Sequence, residues 1–234
     1  MQEAKKTKKI AFIINPISGS INKRSTTQLI KDVLSQNDKV SYEIILWSSP
    51  EQRHEISKKI KESNYDIAVA VGGDGTINQV AQAVVNTNTA LGIIPMGSGN
   101  GFARHLGIPL NTKKALDIIL NGKQIEIDSG QIDGHLFLCT CGVGFDALIG
   151  NLFATSKSRG FFTYCKLTLG ALKNYRPEEY EITIDDKPIH EKAFLVTIAN
   201  ASQYGNNAYI APTAKINDGI LNITIIKQFP YWKI

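Results

Sequence analysis

Apolar runs and amphipathic stretches alternate along the first half of the chain. KIAFII (9–14), VSYEIILW (40–47), DIAVAV (66–71) and ALGII (90–94) are short and rich in β-branched residues. Between and after them lie helix-like stretches near 23–37, 50–62 and 77–86, and TKKALDIIL at 112–120. Apolar strands separated by helical lengths predict an α/β domain whose mostly parallel sheet is buried on both faces. From about residue 123 the runs crowd together: QIEIDSG, HLFLCTC, EYEITID, KAFLVTIAN and GILNITIIK. Asp133-Gly134 and Asp185-Asp186 stand between them as turn signals, so this half reads as an antiparallel sheet or sandwich. One helical insertion, roughly Leu148 to Asn174, interrupts it. The expected organisation is two domains, 1–122 and 123–234, abutting directly with a cleft between them.

Composition narrows the classes of function. The chain has 234 residues, 43% hydrophobic and 20% charged, ordinary values for a globular protein. Part of the net charge of +5 comes from Lys5, Lys6, Lys8 and Lys9, which read as a solvated tail. No basic stripe with interleaved aromatics follows, so nucleic acid is not an expected partner. Cys139, Cys141 and Cys165 form neither a paired framework nor a Cys-x-x-Cys spacing, which favours a reducing, cytoplasmic compartment. No apolar run reaches membrane-spanning length and no signal-peptide core follows the basic start, so the expectation is a soluble or peripherally membrane-associated protein.

The stretch VAVGGDGTINQV (69–80) carries the first chemistry. A strand ending in Gly72-Gly73 bends sharply and lets an anion approach main-chain N–H groups, while the helix that follows points its positive end at the same place. Asp74 in such a loop would repel phosphate unless a divalent cation lay between, so it implies a metal-nucleotide complex; the alternative is a plain strand-to-helix turn. Two more loops rich in Gly, Ser and Asn follow strands, NPISGS (15–20) and PMGSGNGFARHLGIP (95–109). In a parallel sheet all three leave the same edge, where open α/β folds bind ligands. Ser18, Gly19, Gly97, Ser98, Gly99 and Asn100 are candidate donors to a triphosphate, and Asn15 and Asn78 candidates for ribose or phosphate oxygens.

The ordered set Asn15-Pro16-x-Ser18-Gly19, Gly72-Gly73-Asp74-Gly75-Thr76-x-Asn78-x-Val80 and Gly97-Ser98-Gly99-Asn100-x-Phe102-Ala103-Arg104 resembles the diacylglycerol kinase and sphingosine kinase catalytic-domain family. Gly142-x-Gly144-Phe145-Asp146-Ala147, RGFFTYCKLTLGALKNYRP (159–177) and APTAKINDGILNITII (211–226) extend the likeness over roughly residues 9–228. The resemblance implies a first domain like those of phosphofructokinase and NAD kinase, a three-layer α/β fold, and a second, β-sandwich domain that takes the lipid. It implies a lipid kinase using ATP and Mg²⁺, with Gly72 to Thr76 on the phosphates and metal, Asn15, Ser18 and Gly19 on the nucleotide, and Ser49 and His54 matching a further family feature. Asp74 is the expected metal anchor and catalytic candidate, or a residue that orients the incoming hydroxyl, and Asp218 the candidate for a second-domain metal.

Departures from the family pattern leave parts of this open. Gly101 stands where bacterial diacylglycerol kinases usually carry Asp, which leaves the lipid class undecided, and Asn217 replaces the first of two aspartates before Gly219. The family's glutamate, its favoured general base, belongs to a segment after the position of Ile234. The expectation is therefore a shortened form whose second sheet ends on an open edge, and which binds ATP but transfers phosphate poorly. An NAD kinase-like enzyme shares Gly-Gly-Asp-Gly-Thr and is the alternative activity; a catalytically silent nucleotide- or lipid-binding protein is the other. A dinucleotide fingerprint at Gly142-x-Gly144-x-x-Ala147 lacks its acidic partner, and no Gly-Lys-Ser/Thr follows Gly19 as a P-loop requires. The insertion carries Phe153, Phe161, Phe162, Tyr164, Leu167 and Leu169 with Lys157, Arg159, Lys166 and Lys173. It suits either a surface dipping into an anionic membrane or a helix packed on the sandwich. The oligomeric state, a homodimer included, is not set by the sequence.

Overall fold

The fold is that of a computed structural model that describes residues 7–16, 23–47, 52–156, 158 and 160–229. The chain divides into two compact units, Met1–Glu126 and Ile127–Ile234.

In the first unit, strands β1 (Lys8–Ile14), β2 (Val40–Leu46), β3 (Ile67–Gly72) and β4 (Ala90–Pro95) form one sheet. Every pairing in it is parallel, in the order β2-β1-β3-β4. Helices α1 (Lys23–Leu34), α2 (Arg53–Glu62), α3 (Asp74–Val84), α4 (Gly101–His105) and α5 (Thr112–Asn121) complete the unit. Ile10, Phe12 and Ile14 of β1 and Ile67, Val69 and Val71 of β3 join Ile30 and Leu34 of α1 and Leu116 and Ile119 of α5 in one core. The alternate residues Ala11, Ile13, Ala68 and Ala70 are equally buried, and successive strand side chains point to opposite faces, so both faces of the sheet are covered. The near-continuous apolar runs are thus those of a three-layer α/β unit, as expected.

The register places the edge at which ligands are expected. The chain leaves β1 for β2 on one side and returns past β1 to β3 on the other, so the sheet changes direction between β1 and β3. The segments after β1, β3 and β4 therefore leave three adjacent strands at one edge.

The second unit contains β5 (Gly130–Ile132), β6 (His135–Phe137), β7 (Thr140–Gly144), α6 (Phe145–Thr155), α7 (Phe161–Leu172), β8 (Glu178–Ile184), β9 (Lys187–Ala193), β10 (Leu195–Ala199), β11 (Gln203–Gly205), β12 (Ala208–Tyr209) and β13 (Asn222–Ile226). All its described pairings are antiparallel: a sheet β13-β10-β7 and the pairs β5-β6, β8-β9 and β11-β12. Both predicted turns join hairpins. Asp133 and Gly134 have φ of 47° and 77°, Asp185 and Asp186 φ of 47° and 63°, the handedness that matches strand twist.

Three expectations need correction. QIEIDSG is extended only from Gly130, because the residues before it pair with no strand and remain largely exposed. KAFLVTIAN belongs to two strands, β9 and β10, that pair with different neighbours. The helical insertion starts at Phe145 and consists of two helices, interrupted before Gly160, which sits at φ 101°.

Candidate functional site

The turn after β3 is tighter than the sequence reading expected. Helix α3 begins at Asp74 itself, with Gly73 as its extended N-cap, so the carboxylate stands on the first helical residue and not in a free loop. Gly75 is exposed, Thr76 is buried and Asn78 is half-buried in the next turn.

The loop after β4 lies directly against this turn. Met96 N–H donates to the Gly72 carbonyl at 2.8 Å, and a Cβ built on Gly97 would stand 2.6 Å from the Gly73 Cα. Only glycine permits that approach of two main chains. Asn100, 5% exposed and left-handed at φ 49°, sends its side chain back into its own loop. Its Oδ1 accepts from Gly97 N–H at 2.8 Å and its Nδ2 donates to the Gly97 carbonyl at 2.7 Å. Asn100 thus shapes the loop through both amide atoms, and the Gly97 N–H is already engaged. Arg104 Nε donates to the Gly99 carbonyl at 3.1 Å, while Ser98 leaves its side chain in solvent.

Asp74 joins the two loops. Its Oδ2 accepts from Gly101 N–H at 3.2 Å and its Oδ1 from Phe102 N–H at 3.1 Å, the first amides of α4. Burial pushes its carboxyl above the usual carboxylate range, and these main-chain donors pull the other way. Carboxylate oxygens carry more than one acceptor position each, so Asp74 can hold α4 and still present lone pairs outward.

Of the other predicted residues, Asn15 is half-buried at the end of β1, beside β3 in the sheet order. Ser18, Gly19 and Ser49 lie outside the described residues. His54 is exposed on α2, which follows the edge strand β2. Asp218 is in the second unit, with Oδ1 accepting from Ile220 N–H at 3.1 Å, and Asp128 holds the same turn through Gly219 N–H at 2.7 Å. Among the described residues no three His, Cys, Asp or Glu side chains gather into a cation-binding group. What the donor set does fit is Mg²⁺ arriving with its nucleotide, an ion that commonly takes one or two carboxylates, phosphate oxygens and water.

One hydrogen-bonded cluster, built around a single carboxylate, was not assigned from the sequence. Asp146, on the first turn of α6, accepts through Oδ2 from the Thr197 hydroxyl and the Tyr204 phenol, both at 2.9 Å, and through Oδ1 from Ala147 N–H. Thr197 Oγ1 and Tyr204 OH are themselves 2.6 Å apart. Burial drives the Tyr204 phenol far above its ordinary range, with the Asp146 charge adding to it. Burial and then Asp146 also raise the Cys141 thiol and the Tyr164 phenol. The signal was available in Gly142-x-Gly144-Phe145-Asp146: Gly144 at φ 101° lies against Leu195, where a Cβ would stand 2.8 Å from that residue's Cα. That contact brings the start of α6 onto β10, the strand that carries Thr197.

Comparison with known proteins agrees with this architecture. The Diacylglycerol kinase catalytic domain family matches residues 9–132, and the YegS C-terminal NAD kinase beta sandwich-like domain matches residues 139–234. A diacylglycerol kinase of Bacillus subtilis (strain 168) is 32% identical over 230 residues, covering 94% of this chain and 74% of its relative. One from Staphylococcus saprophyticus is 27% identical over 228 residues, covering 94% and 73%. The crystal structure of a diacylglycerol kinase from Bacillus anthracis str. Sterne superposes with a TM-score of 0.73 at 23% identity, over 96% of this chain and 75% of that one. The chain belongs to the diacylglycerol kinase catalytic-domain family.

Proposed function

We propose that the protein is a lipid kinase that moves the γ-phosphoryl group of ATP to a hydroxyl of a diacylglycerol-like or sphingoid lipid. The observation that carries this reading is the contact between the Gly72–Thr76 turn and the Gly97–Phe102 loop at the carboxyl edge of the parallel sheet, joined through Asp74. The family is one of kinases, and this edge is the part of its fold suited to a polyphosphate.

Phosphoryl transfer asks a protein chiefly for positioning and for charge neutralisation. An oxygen–phosphorus bond forms to the lipid hydroxyl as its O–H bond breaks and the proton is released to water, and the bond from the γ-phosphorus to the bridging oxygen breaks, leaving its electrons on ADP. In this chain the positive end of α3 faces the phosphates, with Gly75 placing no side chain in their path. The exposed Ser98 hydroxyl adds a donor from the neighbouring loop, and Asn100 holds that loop in shape. Asp74 would hold Mg²⁺, and the ion would supply charge neutralisation on the phosphate oxygens.

The test is transfer of labelled phosphate from ATP to diacylglycerol, monoacylglycerol, sphingoid bases, ceramide and NAD, each with and without Mg²⁺. Label in one of the lipids supports the reading. Label in NAD alone, or in none of the five despite ATP binding, overturns it.

A further inference from the structure

Asparagine is followed by glycine at Asn100-Gly101 and Asn121-Gly122. This dipeptide is the one most open to loss of its side-chain amide, because no Cβ on the second residue hinders attack of its main-chain nitrogen on the asparagine Cγ. The two pairs sit in opposite settings. Asn121 is exposed at the end of α5, with Nδ2 donating to Asp117 Oδ1 at 2.8 Å. Its Gly122 N–H donates to the Ile118 carbonyl at 2.7 Å, a bond released whenever the helix end frays. Asn100 is buried, and its Oδ1 and Nδ2 are both engaged with Gly97, at 2.8 and 2.7 Å, which ties Cγ to the start of its own loop. The nitrogen that would attack it belongs to Gly101, whose N–H donates to Asp74 Oδ2 at 3.2 Å. The Phe102 N–H, donating to Asp74 Oδ1 at 3.1 Å, keeps the carboxylate in that position.

We infer that Asn100-Gly101 is a site of spontaneous deamidation, latched by Asp74, at which the glycine-rich loop is altered whenever the latch opens. Once released, the Gly101 nitrogen loses its proton to hydroxide and bonds to Asn100 Cγ. The Cγ–Nδ2 bond breaks, and ammonia leaves with a proton returned from water. Water then opens the succinimide ring on either side, leaving aspartate or isoaspartate at position 100. Either product lacks the amide donor that the Gly97 carbonyl now accepts from, and sets a carboxylate beside that carbonyl. Isoaspartate also adds a carbon to the main chain, close to where Gly97 lies against Gly73. The inference goes beyond phosphoryl transfer: the chemistry needs only water and hydroxide, and it gives Asp74 a task that involves no metal.

Incubation of the full chain at mildly alkaline pH, without ATP, followed by peptide mapping tests it. The mass gained on exchanging amide for acid reports each conversion, and electron-transfer fragmentation locates it and separates aspartate from isoaspartate. In the folded chain Asn121 is expected to convert faster than Asn100, whereas in urea the two should convert at similar rates. Asp74→Ala should raise the rate at Asn100 about tenfold or more, since hydrogen bonds to a charged group are lost, and leave the rate at Asn121 unchanged. Asn121 is thereby an internal gauge of folding, because general unfolding raises both rates. Asp74→Ser, which shortens the side chain and removes its charge, is the second variant should circular dichroism show the Ala variant unfolded, and it should give the same split. Equal rates at Asn100 in the folded chain and in urea overturn the proposal, as does absence of conversion at Asn100 in urea. A parallel rise at both asparagines in a folded variant also overturns it, by assigning the protection to the fold as a whole. Because the readout is mass, failure of phosphoryl transfer would not touch this result, nor would its failure touch the transfer assay.

Discussion

Asp74 holds the start of α4 and is the proposed metal anchor, and its replacement separates the two roles. Asp74→Asn removes a partly buried charge, which relieves the burial cost, but turns an amide NH₂ toward one of the two N–H donors, which costs about 1 kcal/mol. The opposing effects should leave the thermal midpoint within a few degrees of wild type, while Mg²⁺-dependent ATP binding by calorimetry falls by at least tenfold. Unaltered binding would remove the metal role. Gly97→Ala should act the other way round. Its new Cβ, 2.6 Å from the Gly73 Cα, must push two main chains apart, so ATP affinity should fall roughly tenfold or more with a stability loss of about 1–3 kcal/mol; wild-type affinity would mean the contact is irrelevant to the ligand. The sequence pointed to both residues, to Asp74 through a strand running into Gly-Gly-Asp-Gly and to Gly97 through the glycine-rich loop after the fourth strand. It could not show that the Asp74 oxygens are held by amides distant in the chain, or that Asn100 folds back on Gly97, because both depend on how two loops meet.

At the scale of elements, the edge strand β2 is fastened to α2 by Glu43, which accepts from Lys59 and from the Tyr65 phenol. The Lys59 bond, then the Tyr65 bond, holds the Glu43 carboxyl below its ordinary range. A depressed carboxylate stabilises the fold above its unfolded pKa, about 4.3, and that contribution is lost as pH falls through the lower folded value. Glu43→Gln should therefore cost no more than about 1 kcal/mol at neutral pH, because the pair is partly exposed and screened. The gap to wild type should close below about pH 4, as read by denaturant midpoints across pH. A gap that persists there would assign the effect to packing. Elements with a strong period were legible in advance, β1 to β4 and α5 among them. The break between α6 and α7 was not, because an apolar segment serving a core on one side and an open face on the other has no single helical stripe to announce where it divides.

At the scale of the whole molecule, the proposed ligand belongs to one of two units. Saturating Mg²⁺-ATP at a hundred times its dissociation constant should add about 2.7 kcal/mol to the stability of the unit that binds it. Hydrogen exchange should slow at Gly72–Asn78 and Gly97–Phe102, with little change in β8 and β9; uniform slowing of both units would contradict a site confined to the first.

The strand order also governs how the chain is made. β1 leaves the ribosome before both of its neighbours, which are separated from it by long stretches of chain: Lys8 pairs with Val40 and Ile10 with Ile67. Until the chain has grown past Gly72, Ile10, Phe12 and Ile14 have no β3 to lie beside, and the loop closures required are slow compared with a hairpin. β8 and β9, joined through Asp185-Asp186, can close as soon as both have emerged. During synthesis a central strand of the first unit's sheet is thus the one that waits longest in water. Nascent chains halted before β3 should be the ones that chaperones hold and proteases cut.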